Sequence, residues 1–174
     1  MRTVEWVDGR ARLIDQTRLP TSLDIVECRT AEEMAEAIRS MKVRGAPAIG
    51  VAAAFGVALG LITRRFASEQ EFRQELERVC DLLRSTRPTA VNLFWAVERA
   101  RRVALDALPQ GIDQALAIVV AEVRRMADED VAINRRLGEH GAGVLRDGMT
   151  VLTHCNAGAL ATVDFGTALA PVYT

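Results

Sequence analysis

Cys155 stands at the centre of LTHCNAG (152–158), flanked by His154 and Asn156 and followed by a glycine turn. A cysteine between a strand end and such a turn occupies the place where open α/β sheets present reactive groups, and its thiol could serve as base, acid or nucleophile. Cys28 and Cys80 read instead as small core hydrophobes. Two arginines have related settings. In VRGAPAIG (43–50), Arg44 and Gly45 precede a helix that Pro47 can start, so a guanidinium and unpaired helix N–H groups could converge on one phosphate or hydroxyl. In STRPTAVN (85–92), Arg87 bears the same relation to Pro88, with Asn92 one turn further on. Each arginine alone also fits an ordinary surface turn. The pair points to an anionic small molecule.

His154 invites a Cys/His hydrolase, but neighbouring residues on a strand face opposite ways, so a dyad with Cys155 is not expected. The sequence predicts a buried His154 satisfied by a backbone group. His140, His154 and Cys155 lack any recognised ligand spacing, and neither a metal nor a cofactor is expected.

The elements that must position these residues are legible in outline. Asp8 and Gly9 separate two short, partly alternating runs, which predicts a hairpin, and Ser22 to Cys28 supplies a further candidate strand. Thr30 with Glu33 and Ser68 with Glu71 form capping boxes that open two helices. The first has Met34, Ile38 and Met41 on its apolar face; the second has Phe72, Leu76, Val79, Cys80 and Leu83. Ala46 to Thr63 carries no charge, and its Ala and Gly content predicts a helix buried on all sides rather than a membrane span. Pro88 is placed at the first position of a helix through Leu93, Val97, Ala100 and Ala104. Asp113 is placed as the cap of the longest helix, with Leu116, Val120, Val123, Ala127 and Leu137 along its stripe. After Gly148 the period changes, and Met149 to Thr153 reads as a short buried strand. A second apolar stretch runs from Phe165 to Tyr173.

The 174 residues carry 22 Lys plus Arg against 23 Asp plus Glu, a net charge of −1 that gives no grip on nucleic acid or acidic membranes. Three scattered cysteines with no signal-like segment before them fit a reduced, cytoplasmic setting.

Four motifs in order carry a resemblance over the whole chain: IDQTRLP (14–20), VRGAPAIGVAAAFG (43–56), RPTAVNLFWA (87–96) and TVLTHCNAGALATVDFGTALAPVY (150–173). The sequence resembles the methylthioribose-1-phosphate isomerase family, within the wider group of translation initiation factor 2B subunits and ribose-1,5-bisphosphate isomerases. The resemblance implies an α+β to α/β architecture. An N-terminal β element (1–29) and a helical domain (30–147) would be followed by the truncated start of a Rossmann-like parallel-sheet domain (148–174).

It further implies an intramolecular oxidoreductase of the aldose–ketose type, converting 5-methylthioribose 1-phosphate to 5-methylthioribulose 1-phosphate in methionine salvage, as a homodimer. Carried onto matching positions, Arg44, Gly45, Ala46 and Arg87 would contact the phosphorylated sugar. Cys155 would be the catalytic thiol or a transition-state stabiliser. The family's proton-donating aspartate would fall after Thr174, so the chain reads as an N-terminal fragment without full activity; Asp164 is not promoted to that role. The rivals are a non-catalytic regulatory subunit of the initiation-factor type and a ribose-1,5-bisphosphate isomerase.

Overall fold

The computed structural model describes residues 2–174. Strands β1 (Val4–Val7), β2 (Arg10–Ile14) and β3 (Ile25–Cys28) form an antiparallel sheet in that order. The β1–β2 turn is made by Asp8 and Gly9, both at positive φ (49° and 75°), the geometry whose twist matches a hairpin. Pairing Val4 with Leu13 and Ala11 with Cys28 puts all four side chains on the buried face.

Among the described residues the α-helices that follow are α1 (Ala31–Arg39), α2 (Ala46–Ile62), α3 (Glu69–Arg84), α4 (Val91–Ala107), α5 (Ile112–Ala142) and the short α6 (Ala170–Tyr173). Both capping boxes form. The Glu33 amide donates to Thr30 Oγ1 (3.1 Å) and the Glu71 amide to Ser68 Oγ (3.2 Å), while the two glutamates accept from the amides of Arg29 and Ala67. Helix α2 is the axis of the bundle, packed against α1, α3, α4 and α5 and buried from Ala48 to Leu61. Close approach explains its small residues: a Cβ at Gly56 would lie 2.8 Å from Leu83 on α3, and one at Gly50 would lie 3.1 Å from the Asn92 carbonyl on α4. Trp6 meets Phe55 edge to face at 5.4 Å, which ties the sheet to α2.

Several sequence expectations need correction. Helix α4 starts at Val91, not Pro88, because Arg87 to Ala90 form a turn closed by the Ala90 amide on the Arg87 carbonyl (3.0 Å), and Ala90 is non-helical (φ −85°, ψ 88°). Asp113 lies in the first turn of α5, behind a Gly111 cap at φ 102°. The buried stripe of α5 runs through Ala115, Val119, Val123, Met126 and Val131, while Leu137 is exposed. Of the expected stripe, Val123 and Ala127 are buried and Leu116 and Val120 pack half-buried at its edge. Met41 lies past the end of α1 at φ 59° and is exposed.

Met149 to Thr153 is not a strand: it is irregular and exposed, with Leu152 at 97%. A single strand leaves its N–H and C=O groups without a ladder, and among the described residues no other strand lies beside this segment. The observed architecture is therefore a three-stranded antiparallel sheet followed by a helical bundle.

Candidate functional site

Gly45 caps α2 with φ 88° and ψ 136°, a conformation that suits glycine, and Pro47 occupies the first turn. The first intrahelical bond runs from the Ile49 amide to the Gly45 carbonyl (2.9 Å), so the amides of Ala46 and Ala48 come before it at the positive end of the helix dipole. A Cβ on Gly45 would overlap the Ala161 backbone. The entry to α2 therefore rests directly on the chain that follows Cys155.

That chain folds into a closed loop. The Ala157 carbonyl accepts from the Thr167 amide (2.9 Å), and Gly166 (φ 72°) packs against the Ala157–Ala159 backbone. Thr162 Oγ1 accepts the Gly166 amide (3.0 Å). Outside fasteners hold the loop to the body. Thr3 donates its amide to the Val163 carbonyl (2.8 Å) and its hydroxyl to the Ala159 carbonyl (3.0 Å). On α5, Asp130 Oδ2 accepts the Val163 amide (2.7 Å); burial pushes this carboxyl up and the amide bond opposes that shift. Cys155, at φ 65° and exposed, sits at the mouth of the loop.

These pieces enclose a cavity of about 370 Å³ lined by Arg44, Gly45, Ala46, Arg87 and Cys155, together with Thr89 and Asn156. Residues separated by more than a hundred positions in sequence thus share one concave surface. Asn92 does not: it lies against Gly50 and lines a separate cavity. His154, expected to be buried, is exposed, since the strand that would have covered it is not formed. Thr89 reaches the cavity through the turn before α4, and Met41 and Ile49 add an apolar wall.

Among the described residues, the cavity lining holds two arginines and no acidic side chain. The Nε of Arg44 is buried and has no hydrogen-bond partner, and among the described residues neither Arg44 nor Arg87 pairs with a carboxylate. Arg99, by contrast, is held by Glu122 at 2.6 Å and Glu129 at 2.7 Å. Leaving a buried donor unmatched costs about 1–3 kcal/mol. The other two thiols are withdrawn from chemistry, burial pushing Cys28 up to about 11 and Cys80 up to about 12. Among the described residues no group of three or more His, Cys, Asp or Glu side chains could hold a metal ion, and no helix is long and apolar enough to cross a membrane.

A helical bundle carrying two arginine-bearing turns and a cysteine loop on one cavity agrees with a family match over residues 42–171, and the chain belongs to the initiation factor 2 subunit family. It is 52% identical over 168 residues to a methylthioribose-1-phosphate isomerase of Geobacter metallireducens, covering 97% of this chain and 49% of that protein. It is 49% identical to a 5-deoxyribose 1-phosphate isomerase of Bacillus cereus, covering 98% and 49%. Among solved structures it resembles a 5-methylthioribose 1-phosphate isomerase from Pyrococcus horikoshii, with TM-score 0.92, 44% identity and coverage of 98% and 48%. It also resembles a protein from A. fulgidus described as translation initiation factor eIF-2B subunit delta, with TM-score 0.89, 48% identity and coverage of 99% and 50%. The chain spans about half the length of the curated relatives it matches.

Proposed function

We propose that this chain supplies the phosphate-binding arginines and the reactive cysteine of an aldose–ketose isomerase acting on 5-methylthioribose 1-phosphate. The supporting observation is the cavity that Arg44, Arg87 and Cys155 line together, neither arginine being paired with a carboxylate among the described residues. A phosphate on the anomeric oxygen prevents the sugar ring from opening to a free aldehyde, so hydrogen must move between C2 and C1 by another route. In this reading Arg44, Arg87 and the α2 amides hold the phosphate, Gly45 and Ala46 admit it close to the backbone, and Cys155 handles a proton at the reacting carbons. Among the described residues no carboxylate lines the cavity. We assign the second acid to the portion of the relatives that lies outside the shared half. Residues 148–174 would open its Rossmann-like domain, with Met149–Thr153 becoming a strand when sheet neighbours are present. The same reading carries a homodimeric cytoplasmic enzyme of methionine salvage.

The likeness to the A. fulgidus protein supports a second reading, a regulatory subunit that binds a sugar phosphate without converting it. Turnover of 5-methylthioribose 1-phosphate, 5-deoxyribose 1-phosphate and ribose 1,5-bisphosphate by the full-length protein separates the cases. The isomerase reading expects ketose product from the first sugar at the highest kcat/KM. Preference for the bisphosphate would replace the substrate, and turnover of none would leave the regulatory reading.

A further inference from the structure

The IDQTRLP segment does not line the cavity, yet Gln16 within it joins the two halves of the site, one through its backbone amide and the other through its side chain. Gln16, 8% exposed, follows the end of β2. Its backbone amide donates to the Lys42 carbonyl (2.9 Å), two residues before Arg44, and its side-chain Nε2 donates to the Leu160 carbonyl (2.8 Å), next to the Ala161 that abuts Gly45. The turn that delivers this side chain is itself fixed. Asp15 Oδ1 accepts from the amide (3.0 Å) and hydroxyl (2.6 Å) of Thr17, and the Asp15 amide donates to the Asp24 carbonyl (2.9 Å). The other fasteners of the cysteine loop, Thr3 at Ala159 and Val163 and Asp130 at Val163, make no hydrogen bond to residues 42–46, so Gln16 alone among them bonds both segments.

We propose that Gln16 is a positioning residue that sets the separation between the arginine turn and the cysteine loop. The inference rests on reading the cavity as an anion site. Its consequence is a coupling: an anion held by the arginines shields Cys155 only while the Gln16 bond keeps the loop over the cavity. A site assembled without that bond would still bind the anion but would leave the thiol free.

Inorganic phosphate and iodoacetamide test this in the full chain. Calorimetry reads phosphate binding, and mass spectrometry reads the alkylation rate of Cys155, with buried Cys28 and Cys80 as internal references. In the unaltered protein phosphate should bind and slow Cys155 alkylation. In Gln16→Met, which keeps the length but loses the donor, phosphate should still bind within about threefold while the protection factor falls about fivefold to tenfold, the scale of one buried hydrogen bond. Gln16→Lys, which keeps a donor, should restore most of the protection; a purely packing role predicts that Lys is no better than Met. If Gln16→Met does not fold, Gln16→Glu, similar in shape but unable to donate when ionised, carries the same test. Full protection in a folded variant lacking the donor overturns the role of Gln16. Absence of phosphate binding or protection in the unaltered protein overturns the anion-site reading, and the proposal with it.

Discussion

Serine at position 155 would keep the approximate size and hydrogen-bonding sense of the side chain while replacing the thiol by a hydroxyl. If Cys155 moves a proton in the reaction, Cys155→Ser should lower kcat by about 10²-fold or more in the full-length enzyme. Steady-state kinetics returning a near-normal kcat would end that assignment. Arg87 has a different task. A guanidinium that grips phosphate equally in ground and transition states affects binding more than the chemical step, so Arg87→Ala should raise KM about tenfold or more with kcat little changed. An unaltered dissociation constant for phosphate would count against it. At this scale sequence reasoning reached Arg44, Arg87 and Cys155 because each stands beside a Pro or Gly turn signal. Thr89 and Met41 enter the cavity only through the non-helical turn at Ala90 and the positive φ of Met41, for which their residue types give no warning.

Elements whose geometry is set locally were legible: the Asp8–Gly9 hairpin, both capping boxes, and α2, whose Ala and Gly content betrays close neighbours. Elements set by tertiary contact were not. The edge of the α5 stripe and the unformed strand at 149–153 depend on what lies beside them, and the start of α4 is delayed by a local turn that Pro88 does not announce. The contact between α2 and the cysteine loop belongs to this level, and Gly45 is its hinge point. At φ 88° an alanine would be strained by about 1–3 kcal/mol, and its Cβ would overlap Ala161. Gly45→Ala should therefore lower Tm by roughly 5–10 °C and speed Cys155 alkylation as the loop is displaced. A melting curve and alkylation rate matching the parent would show that the two elements do not rest on each other.

For the molecule as a whole, the buried thiols set a limit at alkaline pH. Burial raises Cys80 from 9.0 to about 12 and Cys28 to about 11. The unfolded chain therefore loses these protons first, so their contribution is intact below pH 9 and is lost as pH climbs toward 11 and 12. Cys80→Ala should flatten the fall of Tm between pH 9 and 11 relative to the parent, even if it lowers Tm at pH 7. Parallel curves would mean that Cys80 does not carry the dependence. The order of synthesis adds a further constraint. Helix α2 is complete at Ile62, but the helix that closes its last side ends at Ala142, so the ribosome adds 80 more residues while this charge-free segment waits. At cellular elongation rates that interval is roughly 4–16 s. Alanine and glycine in place of larger aliphatic residues keep the nascent segment's sticky area small, so the composition that allows close packing also protects the chain before any packing exists.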